Sequence, residues 1–230
     1  MAATDRLLKK LVQNALISES ERITSKIGNS QTLEQLRGLG YVASVDGGED
    51  RLMPQAFEAV FDGFPEARPP SEVQQRVDEL GLIGVRWKVA QGIITENRAQ
   101  PLKGIIFIRD PNRARLSSWF HELGHVLFHL GEEGSFLPDR HGVNRDLAAR
   151  LAAAAKSEYP IVASLASPPI PGERCIRFSN GHSYGFTHHG PEGEVEELWA
   201  ILFGEQSAGL ELHPRVKAHV EEIILKLMLG

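Results

Sequence analysis

Arg115-Leu116-Ser117-Ser118-Trp119-Phe120-His121-Glu122-Leu123-Gly124-His125-Val126-Leu127-Phe128-His129 carries two histidines four residues apart, with a glutamate directly after the first. On a helix, positions four apart share one face with Cβ atoms about 6 Å apart, so His121 and His125 can both aim a ring nitrogen at one ion. Glu122 is turned away by about 100°, yet its side chain is long enough to hydrogen-bond a water held by that ion. A zinc ion lowers the pKa of its water from about 15.7 toward about 7, and the adjacent carboxylate can then take the proton as the water attacks a carbonyl. Zinc fits better than iron or copper, because nothing else in the chain points to redox chemistry. Histidines four apart also arise by chance as ordinary surface or core residues. The setting speaks for the metal: apolar Trp119, Phe120, Leu123, Val126, Leu127 and Phe128 surround the pair. Gly124 costs a helix about 1 kcal/mol relative to alanine, which makes sense where another backbone passes close by.

Working outward, residues 104–108 form a short apolar run that suits a buried strand, and residues 83–89 alternate like a strand. Asp110 and Pro111 predict the start of the motif helix, the aspartate capping free N–H groups and the proline taking the first helical position. That helix is expected over 111–130, with Gly131 as its stop. Downstream, an alanine-rich helix is expected over 144–156, a stiff proline loop over 167–172, a strand over 174–178 and a loop over 179–190. Helices over 192–203 and 214–228 close the chain. Toward the N-terminus, Leu7, Leu8, Leu11, Val12, Ala15 and Leu16 recur at helical spacing and predict a helix over 4–27. The glycine-rich stretch 38–48 reads as loop with room for one short strand. A short helix is expected over 54–61, and another over 72–80 capped by Ser71. Together these elements predict an α+β fold. A small twisted sheet from segments near 83–90, 104–108 and 174–179 packs on the metal-bearing helices in a domain over 81–230. A mainly helical region over 1–80 is appended in front.

Composition excludes several classes. A net charge of −5 is unlike that of a nucleic-acid binder, which is usually basic. No apolar stretch approaches the roughly 20 residues of a membrane span, and the first residues lack the pattern of a secretion signal. The reading therefore places the chain in the cytoplasm, with no membrane and no nucleic-acid partner. Its single cysteine, Cys175, cannot form an internal disulfide and reads as a packed small hydrophobe.

Catalytic zinc normally has three protein ligands and one open position. Candidates for the third are His129, His141, His182, His188, His189 and the acids Glu194, Glu196 and Glu197. His129 lies two helical turns from His121, too far along the axis to share its ion, and His141 has no supporting pattern.

Arg115 to His129, following the apolar run 105–108, resembles the core of the ImmA/IrrE family of metallopeptidases. It is also similar to the zinc helix of the anthrax lethal factor family. Both belong to the zincin group, and the likeness covers roughly residues 83–130 and 180–205. The resemblance implies a zincin-like fold and a glutamate ligand from a downstream helix. Glu197-Leu-Trp-Ala-Ile-Leu-Phe203 is similar to the E-x-x-A-x-x-F pattern of that helix in the lethal-factor-like proteins, which implies Glu197 as the third ligand, then Glu194, then Glu196. Ser183-Tyr184-Gly185 resembles their Ser-x-Tyr segment, whose tyrosine stabilises the oxyanion, a role the resemblance gives to Tyr184 here. His182, His188 and His189 are the alternatives. The chain departs from both families in the long stretch between His125 and Glu197. It departs from the ImmA/IrrE pattern in having Leu198-Trp199 where Ala-Asn is usual.

The expectation is thus a zinc endopeptidase in which a metal-bound water, activated by Glu122, hydrolyses a peptide bond of a protein or peptide substrate. The ImmA/IrrE likeness implies a regulatory protein as substrate, the lethal-factor likeness a host protein. A zincin fold kept as a non-catalytic regulatory or partner-binding module is the alternative. A structural zinc site is disfavoured, since such sites are usually rich in cysteine. The sequence assigns no oligomeric state.

Overall fold

The structure is a computed structural model that describes the strands at 42–44 and 50–52 and residues 65–90, 97–163, 172–187 and 190–229. The helices expected over 4–27 and 54–61 lie outside these residues. Those described form a mixed α and β protein. In chain order the elements are β1 (Val42–Ser44), β2 (Asp50–Leu52), α1 (Ser71–Glu79), β3 (Arg86–Val89), β4 (Arg98–Gln100) and β5 (Ile105–Ile108). They continue with α2 (Leu116–Phe128), α3 (Arg145–Glu158), β6 (Ile161–Ala163), β7 (Arg174–Arg177), β8 (Ser183–Gly185), α4 (Gly190–Ser207) and α5 (Pro214–Leu229). The strands make an antiparallel pair, β1-β2, and two three-stranded sheets in the orders β3-β5-β4 and β6-β7-β8. Among the described residues no helix is long and apolar enough to cross a membrane.

The chain divides into two compact units. One takes residues 1–68, 86–98 and 107–114, the other 69–85, 99–106 and 115–230. In the first, β1 pairs with β2 from Val42 opposite Leu52 to Ser44 opposite Asp50. Residues 65–67 lie alongside β3, with the Ala67 amide donating to the Trp87 carbonyl at 2.8 Å and the Val89 amide to that of Pro65 at 2.8 Å. The buried Lys88 is ion-paired with Glu66.

The second unit is built around α4. Leu198, Trp199, Ala200, Ile201, Leu202 and Phe203 are all buried, and α2, α3 and α5 all pack against this helix. A helix apolar all round belongs in a core. Helix α2 contributes Trp119, Phe120, Leu123 and Val126 to that core, α3 contributes Leu147, Ala148 and Leu151, and α5 contributes Val216, Val220 and Ile223. Helix α3 starts where expected, at Asn144, whose side chain accepts from the Leu147 amide at 3.0 Å.

Several local expectations are corrected. The segment 174–179 does not join the sheet of β3 and β5: β7 pairs antiparallel with β6 and β8 instead. Neither β6 nor β8 was expected, since each has only three residues, too few to show a period. The motif helix begins at Leu116, not at Pro111. Asp110 spends its carboxylate on the Asn112 amide at 3.0 Å and its carbonyl on those of Arg113 and Ala114, which closes a tight turn, and Arg115 is extended before the helix. The helix ends at Phe128, and Gly131 serves the turn beyond it at φ 72°, where an added Cβ would meet the Arg140 carbonyl oxygen at 2.1 Å. Ser71 is the first residue of α1 rather than its cap, its hydroxyl being turned to Glu72. The strand expected over 83–89 is confined to Arg86–Val89, because Gly84, at φ 99°, sits in a turn.

Candidate metal centre

Two glycines set the distance between α2 and α4. A Cβ on Gly124 would lie 2.8 Å from the Ala200 Cα, and one on Gly204 would lie 2.8 Å from the Ser117 carbonyl oxygen and 3.0 Å from the His121 nitrogen. Each helix thus presents a bare backbone to the other, and the close passage inferred from Gly124 is made by Ala200. Trp199 adds a hydrogen bond from its indole N–H to the Gly124 carbonyl at 2.9 Å, and Phe120 and Phe203 meet edge to face at 6.2 Å. This contact holds the N-terminal half of α4 beside the two motif histidines.

The imidazoles point at each other and at α4. His121 Nε2 and His125 Nε2 are 3.1 Å apart, and the Glu197 carboxylate lies 3.7 Å from the first and 3.6 Å from the second. Their side chains are between 13% and 19% exposed, so the group is largely but not wholly closed to solvent. Among the described residues, His121, His125 and Glu197 form a group that could hold a metal ion, with their ligand atoms all within 4.8 Å of one another. Metal bonds of about 2.0–2.1 Å at tetrahedral angles put ligand atoms about 3.3 Å apart; the two imidazole nitrogens stand at 3.1 Å, and the Glu197 oxygens approach one ring each, Oε2 at 3.7 Å from His121 and Oε1 at 3.6 Å from His125. Two imidazoles and one carboxylate also match the donor set of a catalytic zinc site. Glu122 is buried beside them on α2.

The two imidazoles are pushed in opposite directions by their surroundings. Burial opposes charge on His125, but its hydrogen bond to Glu196 and the carboxylates of Glu197, Glu122 and Glu196 outweigh that and lift its pKa to about 9. Burial and the neighbouring His125 hold His121 well below the ordinary histidine range. His121 is thus the neutral ring and His125 the charged one.

Outside the three ligand candidates lies a ring of polar groups. Glu196 accepts from His125 Nδ1 at 2.7 Å and lies 3.2 Å from His129 Nε2, while His129 Nδ1 is 2.8 Å from Glu132. Burial would raise the Glu196 carboxyl, but the hydrogen bonds from His125 and His129 hold it at about 2. Tyr184, on β8, stacks nearly parallel to His121 with ring centroids 6.4 Å apart. Its hydroxyl donates to Glu205 and is 3.3 Å from the Ser117 hydroxyl. Glu205, almost completely buried on α4, also takes Asn180 and His182, each at 3.2 Å.

The structure therefore brings together His121, Glu122, His125 and Glu197, with Tyr184 at the edge. Of the other acids, Glu194 pairs with Lys156 and Glu196 faces the far nitrogen of His125. His141 is exposed, and His182 is engaged by Glu205 and Asn180. His188 and His189 lie outside the described residues. Sequence reasoning missed Glu205 and Glu132. Glu205 left a signal, because an acid two residues beyond a run of apolar helix residues is seldom buried without a partner. No family model matches the chain, and neither a curated protein nor a solved structure matches it.

Proposed function

We propose that this protein is a zinc-dependent endopeptidase of zincin type, hydrolysing a peptide bond of a protein substrate with Glu122 as general base. The observation that carries the reading is the convergence of His121 Nε2, His125 Nε2 and the Glu197 carboxylate, from two helices locked together by Gly124 and Gly204. A bound zinc ion would supply Lewis acidity, polarising the scissile carbonyl and making water nucleophilic near neutral pH. His121, His125 and Glu197 would hold it. Glu122, buried and adjacent in sequence to His121, takes the proton of the attacking water and passes it to the leaving amine. Tyr184, whose ring stacks on His121, would donate to the developing oxyanion by turning its hydroxyl proton away from Glu205. Burial and its hydrogen bond to Glu205 push its pKa up to about 12, so it keeps its proton throughout. The low exposure of the group limits water around the reacting atoms.

The test is Glu122→Gln, assayed on zinc-loaded protein with a mixed library of quenched fluorogenic peptides. Wild type is expected to cleave and bind one zinc per chain, and the variant to bind the same zinc with cleavage lost by at least about 100-fold. A wild-type chain that takes up no zinc, or a variant that cleaves as fast as wild type, overturns the proposal.

A further inference from the structure

We infer that Glu196 and His129 are positioning residues that orient His125 toward the metal, an inference that rests on the zinc reading above. The two motif histidines are supported unequally. Among the described residues His121 Nδ1, which is buried, has no hydrogen-bond partner, whereas His125 Nδ1 is 2.7 Å from Glu196 Oε1. Consecutive acids on α4 thus bracket one imidazole: Glu197 lies 3.6 Å from Nε2 while Glu196 holds Nδ1. Neighbouring helix residues point about 100° apart, so a single turn of α4 can reach both sides of the ring. A proton fixed on Nδ1 by a carboxylate leaves the Nε2 lone pair for the metal and makes the ring a stronger donor.

His129, the residue that caps α2, extends this support. Its Nε2 lies 3.2 Å from the same Oε1 of Glu196, so that oxygen is held between two imidazoles. His129 Nδ1 is fixed in turn by Glu132 at 2.8 Å, and Glu132 is paired with Arg145 at the start of α3. The Arg145 guanidinium lies over the Phe128 ring at 3.6 Å. The histidine that caps the motif helix is therefore not a ligand. It anchors the carboxylate that anchors a ligand, through a polar chain running from His125 to α3.

The experiment measures zinc affinity of the full chain by chelator competition, alongside the visible spectrum of the cobalt-loaded protein and the melting temperature of the metal-free protein. Glu196→Ala is expected to weaken zinc binding by roughly 10–100-fold, and Glu196→Gln, which can still accept the Nδ1 proton, by less. His129→Ala should weaken it by up to about 10-fold, and His129→Gln should recover part of the loss. The cobalt spectrum should change in the same order. Glu194→Gln serves as the control, since Glu194 pairs with Lys156, and should leave affinity and spectrum unchanged. If Glu196→Ala does not fold, Glu196→Gln and the His129 pair still give the comparison. A wild-type chain without zinc affinity removes the metal reading itself. A wild type that binds zinc while the Glu196 and His129 variants bind equally well overturns this inference alone, as does a loss that Glu194→Gln reproduces.

Discussion

At the scale of single residues, Tyr184 shows how burial decides a chemical role. A phenol ordinarily ionises near pH 10, but burial first and the Glu205 carboxylate second push Tyr184 to about 12. In the unfolded chain the proton leaves at the ordinary value. Between about pH 10 and 12 the folded state therefore binds more protons than the unfolded one, and stability falls as pH rises through that window. Ultraviolet titration of the metal-free protein should show one tyrosine ionising near pH 12 that is missing in Tyr184→Phe. A lost step near pH 10 would contradict the burial and the Glu205 contact. The same variant should keep its zinc while kcat falls by about 10²–10³-fold, the usual cost of removing one oxyanion donor. An unchanged kcat would take Tyr184 out of the chemistry.

At the scale of elements, the site depends on how closely two helices approach. Alanine is the better helix former at Gly124 and Gly204 by about 1 kcal/mol each, so helix propensity alone predicts that Gly124→Ala and Gly204→Ala stabilise. The contacts predict the reverse, because the new methyl groups would meet backbone atoms at 2.8 Å, and backbone cannot step aside. Each variant should lose about 1–3 kcal/mol of stability, the usual cost of overpacking, read as a lower urea midpoint. Zinc affinity should fall with it, since pushing α4 away moves Glu197 from the imidazoles. A stabilised Gly124→Ala would mean that the helices are further apart than described here.

At the scale of the whole molecule, the proposed ligands come from helices that only tertiary packing brings together, so an ion held by both would join α2 to α4. A metal that binds the folded chain alone stabilises it by about 2.7 kcal/mol when free metal is 100 times Kd. Thermal melting should therefore show a lower midpoint after chelation and recovery on adding zinc back. A midpoint indifferent to both treatments would show that no ion joins the two helices.

Much of the centre was legible along the chain, because its key relation is local. Residues four apart on a helix must share a face, so His121 and His125 lie side by side whatever surrounds them, and a glycine inside an apolar helix suggests a close neighbour. The helix expected over 192–203 is likewise present, running from Gly190 to Ser207. What stayed illegible depends on rotation and partnership. Glu194, Glu196 and Glu197 occupy one turn of α4. Which of them meets the two Nε2 atoms is set by how Leu198, Trp199, Ile201 and Leu202 seat that helix, a property of the packed core rather than of the turn itself. The partners of β7, the use of Asp110 in a turn instead of a cap and the burial of Glu205 were also settled by groups distant in sequence. Local geometry follows from the order of residues, whereas the choice among equivalent neighbours is made only when the surfaces they compete for have come together.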